Sequence, residues 1–435
     1  MKFKIKFDLQ KIISLILIAV ITIEANYWNI LLNSGINRYL IFIVWGALLI
    51  IHLATMNFRI KLQSVHCLWA AFLCVSLVNN AQLKSGKSYG FLIIALCVLT
   101  FFFCTIRSDL LEKIPYLILL IGLPNLIATM LFFFNNNLYL SFISATYKQY
   151  QSGTELGQYG YRAALAGHYS HNGTYLVIVM LILFSMLSCL KLNKTKRIIL
   201  TAVSVVSIFA LFLTTKRAHL LFGIAAMLIT YYIANRNSAG KKVLRILLIS
   251  IILAFIAGFL IDIFPEISKT LDRISKSGVD GASRYRFVMW SHAWNHFGDN
   301  PIFGHGWAGF SQDQDISWVP GASSGAHNVY LQLLYDTGIL GFIIVVMTLL
   351  VTLIVSCKSL VIIKKYDLPY LFPITVSLSI QIFFLLYGLT GNFLFDEMFI
   401  FYALGVILSI GVNAVTPKVS AEFLKIRRYR IMSLR

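Results

Sequence analysis

Long runs of apolar residues, divided by short segments that hold most of the positive charge, constrain this chain more than any other feature. Hydrophobic residues make up 58% of its 435 residues, and Asp, Glu, Lys and Arg together only 12%. A soluble domain carries about 25% charged residues, so most of the surface of this chain is too apolar to face water. The runs do not alternate with a period of two, which argues against a barrel. They predict helices that cross a membrane.

Twelve apolar segments approach the length that a bilayer requires. The predicted spans are Ile12–Leu32, Tyr39–Met56, Val65–Val78, Tyr89–Ile106, Ile114–Phe134, Tyr175–Leu190, Ile198–Leu213, Ala218–Ile233, Ile246–Phe264, Ile339–Cys357, Tyr370–Leu389 and Met398–Val412. The third and the last are short. No internal repeat or soluble domain interrupts the series. The predicted fold class is therefore an all-α polytopic membrane protein, with residues 1–435 forming a single membrane domain.

The basic residues predict the orientation of these spans. With the N-terminus in the cytoplasm, the inner segments carry 25 of the 37 Lys and Arg residues, as the preference of positive charge for the inner side requires. Both termini are then cytoplasmic, residues 414–435 form a basic tail, and two long loops, 135–174 and 265–326, face outward. Because the basic residues are spread between apolar runs, the net charge of +20 does not indicate a nucleic-acid partner.

The longer outer loop has helical signals of its own. Apolar residues recur at helical spacing between residues 264 and 274, which predicts a helix lying on the membrane surface. A second loop helix is predicted over Arg284–Phe297, with Ser283 as its N-cap and Pro301 beyond its end.

Arginine and histidine residues gather where the predicted spans begin on the outer side. Arg162, Arg217 and His327 precede the sixth, eighth and tenth spans, and Arg284 and Arg286 open the second loop helix. Arginine at a helix N-terminus opposes the helix dipole by about 0.3–1 kcal/mol, a cost that a bound anion removes. A diphosphate suits such a cluster, because guanidinium groups match phosphate oxygens. Taken singly, Arg162 and Arg284 are better read as interfacial arginines.

Three segments, in this order, resemble the family of O-antigen ligases and polymerases. They are Leu213–Gly223 (LTTKRAHLLFG), Ser283–Phe310 (SRYRFVMWSHAWNHFGDNPIFGHGWAGF) and Ala326–Phe342 (AHNVYLQLLYDTGILGF). The first two place Arg217 and Arg286 at the family's arginine positions. The third has the family's His-Asn pair, spaced leucines, an acidic residue and Gly-x-x-Gly.

The resemblance implies a GT-C-like enzyme of the bacterial inner membrane that works at the periplasmic face. The donor would be a glycan on undecaprenyl diphosphate and the leading acceptor lipid A–core, and membrane lipids would be the remaining partners. Arg217 and Arg286 would hold the diphosphate, with Arg162 and Arg284 beside them, and the reaction would need neither a metal nor another cofactor.

His327 would act as the general base on the acceptor hydroxyl. A neutral imidazole suits that task near neutral pH, and the helix N-terminus beside it disfavours the imidazolium form. Asn328 and Asp336 would support the site. The sequence leaves open whether Asp336 caps a helix, makes hydrogen bonds elsewhere or assists His327.

Alternative functions remain open at this stage. A protein O-oligosaccharyltransferase and an O-antigen or capsule polymerase would share the donor and the motifs and would differ in the acceptor. A transporter of the lipid-linked glycan is the alternative from another class, although transporters place charged residues at mid-membrane, where these spans have almost none.

Other polar residues receive simpler interpretations. His292 and His296 have helical spacing but no acidic residue between them, so a metal site is not expected. His168 and His171 are interpreted as solvated loop residues, and Glu24 as an interfacial residue.

Overall fold

The computed structural model describes residues 8–33, 37–57, 62–84, 89–103, 108–146, 160–234 and 281–432. Across those ranges the regular structure is helical and contains no strand, which confirms an all-α polytopic membrane protein. The helices are α1 (Leu9–Asn33), α2 (Arg38–Thr55), α3 (Ser64–Leu77), α4 (Ala81–Lys84), α5 (Tyr89–Phe103), α6 (Ser108–Leu111), α7 (Ile114–Phe134), α8 (Asn136–Thr146), α9 (Tyr169–Cys189), α10 (Lys194–Leu213), α11 (Arg217–Ala234), α12 (Gly281–Phe297), α13 (Val329–Tyr366), α14 (Leu371–Tyr387) and α15 (Phe399–Met432).

The helices account for eleven of the twelve predicted spans. Within the described ranges, eight helical segments are long and apolar enough to cross a membrane, and α3, α5 and α14 are shorter apolar helices. The ninth predicted span, Ile246–Phe264, and the predicted surface helix between residues 264 and 274 lie outside the described residues. The count of twelve therefore stays a prediction.

Several boundaries differ from those predicted by hydropathy. Helix α9 begins at Tyr169 rather than Tyr175, because its first turns are polar but buried. Helix α13 begins at Val329 rather than Ile339, and α15 continues to Met432, through most of the predicted basic tail. The loop helix α12 begins at Gly281 rather than Arg284. The stretch 135–174 contains α8 and the start of α9 as well as loop.

A single large core joins the membrane helices. Aromatic side chains that are almost fully buried fill its centre, including Trp45, Trp69, Phe72 and Tyr402. In contrast, apolar side chains such as Ile43, Ile50 and Leu120 are about two-thirds exposed on the outer surface of the bundle. An apolar surface around an apolar core is what a bilayer solvent requires.

Helix α13 is broken at Gly338, which has a φ of 62° and an extended ψ. The break frees the carbonyls of Tyr335 and Asp336, which accept hydrogen bonds from the amides of His305 (3.1 Å) and Gly306 (2.7 Å). A Cβ at Gly304 would lie 2.5 Å from the backbone of Asp336, so the approach requires glycine there. The loop after α12 is therefore fastened to the first turns of α13.

The amides on the other side of the same break are also satisfied. The amide of Ile339 donates to the carbonyl of Pro301 (2.8 Å), and that of Leu340 donates to the carbonyl of Ile302 (3.3 Å). Buried backbone groups need such partners. The Pro and Gly-x-Gly residues that end the second family-like segment are thus hydrogen-bonded, through the backbone, to the third segment around its Gly-x-x-Gly.

Candidate functional site

Five helices, α2, α9, α11, α13 and α15, begin at the same end of the bundle, here called the site end. The Nη1 atom of Arg38, at the start of α2, lies 3.1 Å from Oε1 of Glu397, just before α15. Thr174 of α9 contacts both Nε2 of His219 on α11 (2.9 Å) and the sulfur of Met398 (3.3 Å). Five helix N-termini create a positive potential that favours an anion.

His327 lies at this end, immediately before α13. Its backbone is in the left-handed region, with a φ of 52°, which is uncommon for a residue other than glycine and is often found at functional sites. The loop that carries it is held by Trp290 of α12, whose Nε1 donates to the carbonyl of Ala326 (2.9 Å). The half-buried imidazole is thus presented by a fixed loop rather than by a helix.

The two predicted supporting residues have structural roles. The side chain of Asn328 caps α13 by accepting hydrogen bonds from the amides of Tyr330 (3.0 Å) and Leu331 (3.1 Å). Asp336 is completely enclosed and accepts from the amides of Ala308 (3.0 Å) and Phe310 (2.8 Å). Three roles were left open for Asp336. Its contacts support the second, hydrogen bonding elsewhere, because its partners are amides of the loop after α12 and not the imidazole of His327.

Two cations act on His327. Burial, together with the positive charges of Arg286 and Lys216, lowers the pKa of His327 to about 4. Arg286 projects from the second turn of α12 and is half-buried, and its charge also reaches His219. The sequence prediction that Arg286 and His327 lie at one site is therefore consistent with their positions.

Lys216 is a site residue that the sequence interpretation missed. Its Nζ atom lies 3.6 Å from the centre of the Tyr169 ring, at the first residue of α9. Thr215 before it has a φ of 57°, a strained value for a β-branched residue. Arg217, the predicted diphosphate ligand, is the first residue of α11 and is half-buried. The sequence did contain a sign of this role, because Lys216 and Arg217 are adjacent basic residues at the start of a predicted span.

The remaining predicted arginines are peripheral. Arg162 ends a short 3-10 turn, and its carbonyl accepts a hydrogen bond from Nδ2 of Asn172 on α9 (2.9 Å), which places it near the site end. Arg284 is exposed at the start of α12.

His168 and His171 are not solvated loop residues, contrary to expectation. His168 caps α9, because its Nδ1 accepts a hydrogen bond from the amide of Ser170 (3.2 Å), and His171 lies on the first turn of α9. Both are half-buried. Burial, followed by the charges of His171 and Lys216, lowers the pKa of His168 to about 3. The site end therefore holds several imidazoles around one lysine.

An acidic group lies on the opposite side of the same end. Arg38 bridges Glu24 (2.7 Å) and Glu397 (3.1 Å), and Glu24 is fully buried rather than interfacial as expected. Asp396, next in the chain to Glu397, caps α15 by accepting from the amide of Met398 (2.9 Å). Burial and the charge of Glu397 raise the pKa of Asp396 well above its usual range. The charge of Glu397 is retained beside His171 and Arg38, which lower its pKa against the opposing effect of burial.

The histidines of α12 pair with carboxylates. Nε2 of His292 lies 2.7 Å from Oδ2 of Asp313, which also accepts from the Tyr335 hydroxyl (2.7 Å), and His296 pairs with Asp299 (3.0 Å). Among the described residues, no three His, Cys, Asp or Glu side chains are grouped as a metal would require. These pairs fasten α12 to the loop that follows it.

Comparison with known proteins supports the resemblance. Residues 202–346 match the family model described as O-antigen ligase, a range that includes Arg217, Arg286 and His327. No curated protein matches the chain significantly.

Proposed function

We propose that the protein is a glycosyltransferase that moves a glycan from undecaprenyl diphosphate to a hydroxyl of lipid A–core, and the match of residues 202–346 to the O-antigen ligase family model supports this. The supporting observation is that the charges of Arg286 and Lys216 both act on the imidazole of His327 at the end of the bundle where five helices begin. The bias of basic residues favours a site end at the periplasmic face of the inner membrane, with both termini in the cytoplasm.

In this proposal Arg217 and Arg286 hold the diphosphate, and Lys216 adds a third positive charge. Guanidinium groups bind phosphate oxygens in pairs, whereas a lysine acts as a point charge. Together with the helix N-termini, these cations neutralise the leaving group, so the side chains themselves supply the charge stabilisation that the step needs. Arg162 and Arg284 lie at the margin of this anion site.

The reaction then needs one proton acceptor. The neutral imidazole of His327 removes the proton from the acceptor hydroxyl as that oxygen forms a bond to the anomeric carbon. The bond between the anomeric carbon and the diphosphate oxygen breaks, and the electron pair leaves with undecaprenyl diphosphate. Attack from the opposite face inverts the sugar linkage.

Donor binding strengthens this base. In the free enzyme, burial and then the charges of Arg286 and Lys216 lower the pKa of His327 to about 4, which makes it a weak base. A bound diphosphate neutralises both cations, so the imidazole becomes more basic once the donor is in place. The base therefore becomes stronger once the donor is bound.

The experiment is transfer in vitro from lipid-linked donor to purified lipid A–core, with and without EDTA. His327→Ala should lower the turnover by about 10²–10⁴-fold and leave donor binding intact. Arg217→Ala and Arg286→Ala should lower it by about 10²–10³-fold, with partial recovery in the Lys variants.

The matched control is His296→Ala, which removes an exposed imidazole of α12 that pairs with Asp299. Its turnover should equal that of the wild type. Near-normal transfer by His327→Ala would show that His327 is not the general base. Transfer to protein or to a growing glycan instead of lipid A–core would show that the proposed acceptor is wrong.

A further inference from the structure

The segment between α14 and α15 brings a second set of polar groups to the site end. Tyr387, the last residue of α14, is only 7% exposed, and its ring packs against those of His219 (4.6 Å between centroids) and Phe383 (5.7 Å). The charges of Asp396 and Arg286 both act on its hydroxyl. Within the described residues this hydroxyl makes no hydrogen bond, although the side chain is more than nine-tenths buried.

Asp396 has hydrogen-bonding capacity to spare. Its Oδ1 caps α15 by accepting from the amide of Met398 (2.9 Å), which leaves Oδ2 for another partner. Its neighbour Glu397 is already engaged by Arg38 (3.1 Å). Asp396 is therefore the carboxyl of this segment that can receive a ligand.

The segment also contacts the loop that carries the proposed base. Nδ2 of Asn392 donates to the carbonyl of Ser324 (2.5 Å), and the carbonyl of Gly388 accepts from the amide of Val329 (2.8 Å). These two contacts flank His327 in sequence. The acidic side (Asp396 and Glu397) therefore lies next to the cationic side (Arg286 and Lys216), and the charge of Arg286 acts on both Tyr387 and His327.

The chemistry of the two sides differs. A diphosphate is attracted by Arg286 and Lys216 and repelled by the charged Glu397, so an anion is disfavoured on the acidic side. A sugar hydroxyl is suited to it, because a hydroxyl both donates and accepts, as a phenol and a carboxyl do. The Tyr387 hydroxyl and Oδ2 of Asp396 can each hydrogen-bond a polyol without giving up a contact made by the described residues.

We propose that Tyr387 and Asp396 form the subsite for the acceptor sugar, where they hydrogen-bond hydroxyls next to the one that attacks. This rests on the proposed glycosyl transfer, and it assigns a polyol ligand to a region that the diphosphate does not use. It also explains how one small site end separates a negatively charged donor from a second sugar-bearing substrate.

The test measures transfer at saturating donor while purified lipid A–core is varied. Asp396→Asn is the informative substitution, because Asn is as good an N-cap as Asp and should leave α15 intact. It replaces Oδ2 by an amide nitrogen and should raise KM for the acceptor by about 3–10-fold, and Tyr387→Phe, which removes the hydroxyl, by a similar factor. KM for the donor should stay within twofold of the wild type.

Tyr370→Phe and Asp367→Asn are matched controls, since they change the same residue types at the opposite ends of α14 and α13. Both should leave the acceptor KM unchanged. An unchanged acceptor KM in Asp396→Asn and Tyr387→Phe would overturn the subsite, and so would an equal rise in donor and acceptor KM. Failure of the proposed glycosyl transfer would appear separately, as no transfer to lipid A–core by the wild type in the same assay.

Discussion

The two halves of the segment Ala326–Phe342 differ in what their buried polar groups do. His327, in the first half, lies in a strained loop, and positive charges act on its imidazole. Asp336, in the second half, is enclosed and accepts hydrogen bonds from two backbone amides and from Gln332. The first arrangement keeps a group available for a substrate, and the second fixes a loop.

This difference indicates that one family-like motif holds both the proposed catalytic histidine and residues that fix the neighbouring loop. Asp336 and the break at Gly338 hold the loop after α12, and that loop follows the helix that carries Arg286. Asn328 begins the helix directly after His327. Substitutions in the second half should therefore change stability, whereas substitution of His327 should change the reaction.

The largest effect on stability is expected at Asp336. Asp336→Ala would leave three buried donors without acceptors, at a cost of about 3 kcal/mol or more. The melting temperature of the purified protein in detergent should fall well below that of the wild type and of Asp299→Ala, an exposed control. An unchanged melting temperature combined with lost transfer would move Asp336 into the chemistry and break the comparison.

A smaller effect is expected at Asn328. Asn328→Ala removes the side chain that accepts from the amides of Tyr330 and Leu331, which should destabilise α13 by about 1 kcal/mol. Asn328→Ser should restore most of the melting temperature, because serine is also a good N-cap. Transfer by Asn328→Ser far below that of the wild type, at equal stability, would show that the amide does more than cap the helix.

Sequence patterns predicted the fold class, eleven helices and the loop helix α12, because long apolar runs and helix punctuation are local signals. That Arg286 and His327 share a site stays a prediction, and the effect of the Arg286 charge on the imidazole supports it. The sequence patterns missed the early start of α9, because polar residues such as Asn172 and Thr174 lower the local hydropathy although both are fully buried.

The rest depends on contacts between distant segments. Glu24 lies in a hydrophobic helix, and only the approach of Arg38 shows why a buried carboxylate is tolerated there. Likewise, nothing in the run TTKR distinguishes Lys216 from Arg217 until α9 places Tyr169 against the lysine. Local patterns carry no information on such pairings.

The central claim is that His327 is a base whose strength depends on the neighbouring cations, and the pH dependence of transfer tests it most directly. A base must be neutral to act, so activity rises with pH through its pKa, and kcat/KM for the donor reports the free enzyme whereas kcat reports the complex. The acid limb of kcat/KM should have a pKa of about 4, and that of kcat a higher value, since the bound diphosphate neutralises Arg286 and Lys216. His327→Ala should lose both limbs along with the turnover. Limbs that coincide in the two profiles, or that persist in His327→Ala, would contradict the account.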